Sequence, residues 1–160
     1  MKEAKRVIAK TEKGRKTVLA GYNAEVLVKE KLWRYGYRVQ HLNSIASYDL
    51  LVNNKIKVEV RSSSPKIDKV TGTIRWMIMF NRSNDLRFDV LVVVLFQPIG
   101  EPKILFYNKA EVLEFLYSPS KAAYNKFFEH KFSISKKEFF EVGDSSPYKT
   151  IGRPNRLSPA

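Results

Sequence analysis

The sequence contains no cysteine, so disulfide bonds and cysteine-ligated zinc sites are excluded. It has no apolar run long enough to span a bilayer, and its basic beginning lacks the pattern of a signal peptide. From these absences we expect a cytoplasmic protein with neither a membrane nor a disulfide-linked partner. Only two histidines are present, His41 and His130. We interpret both as ordinary surface or boundary residues, because neither has a second ligand at metal-site spacing.

Acidic residues are scarce in comparison with basic ones. The chain has 160 residues, with 29 Lys and Arg against 16 Asp and Glu, which gives a formal net charge of +13. Such an excess attracts polyanions and favours a nucleic acid over an anionic membrane as the partner; a basic protein without a polyanionic partner is the alternative. We predict a basic arm over residues 1–15, where Lys and Arg are concentrated, a single domain over residues 16–143, and a flexible basic tail over residues 144–160, which are rich in Ser and Pro.

Hydrophobic periodicity predicts an α/β domain with a mixed β-sheet flanked by helices. The first element is an amphipathic helix over residues 16–35, in which Ala24, Val28 and Leu32 recur every four residues and Tyr22 and Trp33 widen the apolar surface. Gly36 follows as the residue that ends the helix. Strands are predicted at residues 37–42, on both sides of a turn within residues 47–64, and at residues 73–80, 88–96 and 103–107.

The run at residues 88–96 has no alternation, as expected for a central strand that is buried on both faces. Two capping boxes open later helices: Asn108 with Glu111, and Ser135 with Glu138. A further helix is predicted over residues 120–132.

The turn within residues 47–64 decides where two acids lie. A two-residue turn at Asn53 and Asn54 would set apolar side chains against charged ones, whereas a three-residue loop pairs position 52 with 56, 50 with 58 and 49 with 59. Only the second register keeps one face wholly apolar, and asparagine tolerates the positive φ that such a loop requires. The pattern therefore predicts that Asp49 and Glu59 lie opposite each other, with Cβ atoms about 4.5–5.5 Å apart.

Like charges placed in this way repel, so a compensating cation is expected. Arg61 and Lys57 share the face of Glu59 and could compensate structurally; Mg²⁺ would do so better, because hard cations bind carboxylate oxygens. The alternative is a solvated face of the sheet. Glu25 favours the metal site, since it lies on the inward stripe of the first helix, where a lone carboxylate is costly to bury. Alternatively, Glu25 lies at the boundary of the core, where its carboxylate reaches water or pairs with a lysine.

These residues resemble the PD-(D/E)XK nuclease superfamily, whose restriction-endonuclease-like fold has an αβββ core and a further buried central strand. The superfamily carries a glutamate on its first helix, an aspartate at the start of its second strand and (D/E)-X-K on its third. The matching segments are "GYNAEVLVKEKLWRYGYRV", "SYDLLV" and "KVEVRSS", within residues 16–96. The pattern is most similar to small homing or restriction-type endonucleases and, more loosely, to archaeal junction resolvases.

The resemblance implies an endodeoxyribonuclease that depends on Mg²⁺, with Mn²⁺ as a substitute, and that hydrolyses phosphodiester bonds in DNA. It implies that Asp49, Glu59 and the backbone carbonyl of Val60 bind the metal, and that Glu25 does so directly or through water. The implied catalytic residues are Glu25, Asp49, Glu59 and Arg61. Cutting both strands of a duplex would make a homodimer natural. We expect the DNA contacts to come from Lys10, Lys13, Arg15, Lys16, Lys57 and Ser62.

Arg61 departs from the superfamily pattern, which has a lysine at that position. Arginine does not release its proton, so Arg61 could bind the scissile phosphate but could not act as a general base. A catalytically inactive nuclease-fold protein that binds DNA without cutting it is therefore the alternative function. An RNA-binding module is a third alternative, which exposed stacking aromatics would favour.

Overall fold

The structure of the protein is a computed structural model, and it describes residues 21–42, 48–79, 86–117, 131–141 and 146–154. Helix α1 covers residues 21–34. The elements that follow are β1 (Val39–His41), β2 (Leu50–Val52), β3 (Ile56–Ser63), β4 (Lys66–Ile67), β5 (Ile74–Met79), β6 (Val90–Leu95), β7 (Lys103–Asn108), α2 (Lys109–Tyr117), β8 (Lys131–Ser135) and α3 (Glu138–Glu141). The predicted basic arm lies outside the described residues.

The main β-sheet is mixed and has five strands in the order β1-β2-β3-β6-β7. Strands β1, β2 and β3 form an antiparallel meander, β6 runs parallel to β3, and β7 returns antiparallel to β6. A second, three-stranded sheet has the order β4-β5-β8. The predicted fold class, an α/β domain with a mixed sheet, a helix followed by three strands and a buried central strand, is confirmed.

The buried side chains form one cluster on each face of the main sheet. On one face, Ala24, Val28 and Leu32 of α1 pack against the sheet. On the other face, the second sheet and α2 cover it through residues that include Trp76 and Val112. Full burial of each aliphatic side chain contributes about 1.5–3 kcal/mol, so these two layers hold the sheet rigid between them.

Strand β6 contributes to both clusters, because all six of its residues are buried. Val90, Val92 and Val94 face the α1 side and Leu91, Val93 and Leu95 the opposite side, in keeping with the alternation of a strand. The absence of polar residues from this segment is therefore explained by burial on both faces, as predicted.

Both predicted capping boxes are present. Asn108 Oδ1 accepts from the Glu111 N–H at 2.9 Å and Glu111 Oε1 from the Asn108 N–H at 3.1 Å. Ser135 and Glu138 make the same reciprocal pair at 3.2 and 2.7 Å. Gly36 has a φ of 91° and ends α1, as expected for a residue without a Cβ. Among the described residues, no helix has the length and apolarity needed to cross a membrane.

Three predictions about strands and helices were incomplete or wrong. The strand predicted at residues 73–80 exists as β5, but it pairs with β4 and β8 in the second sheet. The short strand β4 follows Pro65 in a segment for which no strand was predicted. The helix predicted over residues 120–132 is wrong for Lys131 and Phe132, which belong to β8. The earlier part of that helix lies outside the described residues.

The outer side of α1 also differs from expectation. Tyr22 and Trp33 were expected to widen its apolar, core-facing surface, yet they are 57% and 53% exposed. At about 100° per residue they lie roughly opposite Ala24, so the core cannot reach them. Their role must be sought at the surface.

Residues 146–154 correct the prediction of a flexible tail. Ile151 is buried in the cluster beneath α1, and the Tyr37 hydroxyl donates to the Gly152 carbonyl. Tyr148 lies edge-on to Tyr35, with ring centroids 5.4 Å apart. The Ser and Pro content of this segment suggested disorder. The packing of Ile151 and Tyr148 and the hydrogen bond from Tyr37 nevertheless anchor it to the domain. Residues 144, 145 and 155–160 lie outside the described part.

We predict that Ile151→Ala lowers the free energy of unfolding by about 2–4 kcal/mol, because it removes a buried side chain and leaves a cavity. Ile99→Ala is the matched control; Ile99 is 93% exposed, and its replacement should change stability by less than about 0.5 kcal/mol. Urea unfolding monitored by circular dichroism measures both. Equal midpoints for the two variants would show that residues 146–154 do not belong to the folded domain.

Candidate active site

The β2–β3 hairpin has the register predicted from the sequence. Strand pairs Val52↔Ile56, Leu51↔Lys57 and Leu50↔Val58 place position 49 opposite position 59. The turn uses Asn53 and Asn54 with φ values of 53° and 55°, in the left-handed region that asparagine tolerates. Leu50, Val52 and Val58 accordingly join the cluster beneath α1, and the charged positions face the other way.

Asp49 lies where β1, β2 and β3 meet. Its backbone N–H donates to the Val58 carbonyl at 3.0 Å, and its carbonyl accepts from the Leu42 N–H at 3.0 Å. Its carboxylate Oδ2 accepts from the Val60 N–H at 2.8 Å. The Asp49 side chain therefore extends the hydrogen bonding between β2 and β3 beyond their last pair, Leu50↔Val58. The same hydrogen bond fixes the direction of the Asp49 carboxylate.

Glu59 is the buried acid of β3. The residue is only 8% exposed, which would be costly for a carboxylate without a partner. Arg61 Nη2 lies 2.7 Å from Glu59 Oε1, and the Arg61 side chain is 33% exposed. The protein thus compensates the buried charge with the arginine two residues further along the same face of the strand.

Glu25 approaches the same region from α1. Burial raises the pKa of its carboxyl above the usual value, and the negative charge of Asp49 and a hydrogen bond with the Asp49 side chain raise it further. A hydrogen bond and the charge of His41 act in the opposite direction on that pKa. The fold therefore brings Glu25 close enough to Asp49 for their charges to interact, although the two residues are 24 positions apart in sequence.

His41 is a site residue that sequence reasoning missed. Its Nε2 lies 2.6 Å from Glu25 Oε2, and its ring stacks on Tyr22 with centroids 5.8 Å apart and planes at 21°. The prediction that His41 is an ordinary surface or boundary residue was therefore incomplete. Pairing the first two predicted strands with each other would have indicated this contact. In that pairing His41 of β1 lies opposite Leu50 of β2, next to Asp49.

The remaining predicted DNA contacts are only partly described. Lys57 is exposed on β3, with its Nζ 5.7 Å from the centre of the Tyr48 ring. Its backbone N–H donates to Asp89 Oδ2 at 2.9 Å, which aligns the start of β6 with β3. Ser62 is half-buried on β3. The other four predicted contacts lie outside the described residues: Lys10, Lys13, Arg15 and Lys16.

The donor chemistry of this region fits a hard divalent cation, since Glu25, Asp49 and Glu59 offer carboxylate oxygens and the strands offer carbonyls. In the described part of the chain, however, no three Asp, Glu or His side chains are grouped closely enough to hold a metal ion as they stand. Each acid instead has a protein partner: His41, the Val60 N–H and Arg61. A bound cation would exchange with these contacts or add to them.

Comparison with known proteins gives a similarity in structure. No protein-family model matches the chain, and no curated protein does. Among solved structures, the chain is similar to a bacterial homing endonuclease, I-Ssp6803I, at 19% sequence identity and a TM-score of 0.44. The similarity covers 74% of this chain and 76% of that one. At this level of likeness we draw nothing about function from it.

We predict that the hydrogen bond between His41 and Glu25 stabilises the fold. His41→Phe keeps a ring to stack on Tyr22 but removes the donor, and it should lower the free energy of unfolding by about 1–2 kcal/mol. His41→Gln keeps an N–H donor and should cost less than half as much. Urea unfolding at neutral pH measures both. If His41→Phe costs the same in a Glu25→Ala background, the two side chains are not coupled.

Proposed function

We propose that the protein is a Mg²⁺-dependent endodeoxyribonuclease that hydrolyses phosphodiester bonds in DNA. One observation carries the proposal: Glu25 of α1 interacts with Asp49, which precedes β2 at the position opposite Glu59 of β3, and Arg61 contacts Glu59. Stability alone does not require acids to be gathered in this way, because their mutual repulsion is costly. The net charge of +13 supports a polyanionic substrate.

Each residue of the site would have a distinct role in metal binding or hydrolysis. Asp49, Glu59 and the carbonyl of Val60 would hold the cation, and Glu25 would bind directly or through water. A cation bound there supplies Lewis-acid stabilisation of the negative charge on the scissile phosphate and lowers the pKa of water. Arg61 would orient that phosphate through its N–H groups, and His41 would orient Glu25. A homodimer would suit cleavage of both strands.

A second candidate function is favoured by the contact between Arg61 and Glu59 at 2.7 Å. This pair neutralises the β3 acid within the protein, so the same fold could bind DNA without a cation and without cutting it. Lysine can act as a base once its pKa is depressed, and Arg61 cannot. The two functions differ in whether the acids bind a metal and whether DNA is hydrolysed.

We predict that Mg²⁺ or Mn²⁺ raises the melting temperature of the protein by about 5–10 °C at a concentration 100-fold above Kd, because binding to the folded state alone contributes about 2.7 kcal/mol. Asp49→Asn keeps an oxygen that accepts from the Val60 N–H but removes the charge, and it should abolish most of the shift. Melting curves in EDTA and in KCl of matched ionic strength are the controls. A shift of equal size in the variant would place the cation elsewhere.

We predict that the protein cuts supercoiled, branched or linear DNA when Mg²⁺ or Mn²⁺ is present. Asp49→Asn and Glu59→Gln should each lower the cleavage rate at least about 100-fold, since each removes part of a charge stabilisation worth several kcal/mol. Gel assays measure cleavage, and fluorescence anisotropy in EDTA measures binding. Retained binding with lost cleavage supports the proposal. Binding without any cleavage by the unmodified protein would instead support the DNA-binding alternative.

A further inference from the structure

The outer face of α1 carries a stripe of aromatic and aliphatic side chains that the core does not use. Tyr22, Val26 and Trp33 repeat at helical spacing, and their stripe is centred roughly 140° around the helix from the buried one at about 100° per residue. Tyr22 and Trp33 are more than half exposed. Exposed aromatic residues that share one face mark a binding surface more often than isolated ones do.

This stripe forms one wall of a groove of about 650 Å³ between α1 and the edge strand β1. The groove is also lined by two cationic residues, Lys29 and Arg38, and by one acid, Glu30. We call it the α1–β1 groove. Its combination of flat aromatic faces and cationic side chains is the one that binds single-stranded nucleic acids, in which bases stack on rings and phosphates meet cations.

The α1–β1 groove leads directly into the candidate active site. His41 lines the groove, stacks on Tyr22 with centroids 5.8 Å apart, and contacts Glu25 at 2.6 Å. Along α1, Tyr22 lies about 4.5 Å and Trp33 about 12 Å from Glu25. A base stacked on Tyr22 would therefore place the neighbouring phosphates of its strand near the acids, and a base stacked on Trp33 would lie further along the same strand. The active site and the groove would act on one continuous strand.

We propose that the α1–β1 groove binds unpaired nucleobases of the DNA strand that enters the active site, by stacking on Trp33 and Tyr22. This inference rests on the proposed function and specifies its substrate: DNA with unpaired nucleotides beside the scissile phosphate. In a regular duplex the faces of the bases are covered by their neighbours and cannot stack on a protein ring. A second copy of this chain is a poorer occupant of this groove, because its basic surface would face the cationic residues Lys29 and Arg38 that line it.

The two tryptophans provide the experiment. Trp33 is 53% exposed and Trp76 is fully buried, so Trp33 reports on the groove and Trp76 serves as an internal reference. We titrate the full chain with an oligothymidylate in EDTA, where no cleavage occurs, and follow tryptophan emission. Stacking should quench the emission of Trp33. In Trp33→Leu, the remaining emission should not respond, and the affinity for the single strand should fall about 5- to 150-fold.

Three comparisons make the test specific. Trp33→Phe keeps an aromatic face and should retain much of the affinity that Trp33→Leu loses. A blunt duplex should bind equally to the unmodified protein and to Trp33→Leu. Melting temperature shows that the variants fold, which we expect because Trp33 does not belong to the core.

Several outcomes would overturn the inference. These are an absent quench, an unchanged single-strand affinity in Trp33→Leu, and an emission change that depends on protein concentration without DNA, which would indicate self-association. Tighter binding of an RNA of matched sequence would overturn the assignment to DNA. The result is independent of the nuclease activity: quenching without cleavage refutes only the proposed function, and cleavage without quenching refutes only the groove.

Discussion

The register of the β2–β3 hairpin is the constraint on which the candidate site depends. Asn53 and Asn54 adopt positive φ values, and the resulting loop places position 49 opposite position 59. A shift by one residue would turn Leu50 and Val58 away from α1 and carry the acids into the apolar cluster, which is energetically prohibitive. The register of the hairpin therefore determines both its apolar face and the placement of Asp49 opposite Glu59.

Much of this arrangement could be predicted because it follows from local rules. The hairpin has one apolar and one charged face, β6 has no polar residue, and the capping boxes need only a spacing of three residues. In each case the pattern that determines the structure lies within a few consecutive residues. The position of β6 inside the main sheet, between β3 and β7, likewise agrees with a strand that has no polar residue.

The predictions failed where a distant part of the chain decides the outcome. Strands β5 and β8 pair with each other, although the chain between them contains β6, β7 and α2, and no local pattern specifies that pairing. Ile151 is buried because it packs into the cluster formed by Tyr37 and residues of α1, which are distant in sequence. His41 acquires its contact with Glu25 only when β1 pairs with β2.

The same distinction applies to the chemistry of position 61. The sequence shows that an arginine replaces a lysine, but only the structure shows that its guanidinium contacts Glu59 at 2.7 Å. A guanidinium has five N–H donors and a carboxylate about four lone-pair sites, so the contact between Nη2 and Oε1 uses only a part of the hydrogen-bonding capacity of the two groups. The ion pair is thus compatible both with a metal-dependent site, where it holds Glu59 in place, and with an inactive one, where it substitutes for the metal. What separates these states is whether a cation binds beside Asp49 and Glu25, where the negative charge of Asp49 contributes to the raised pKa of Glu25.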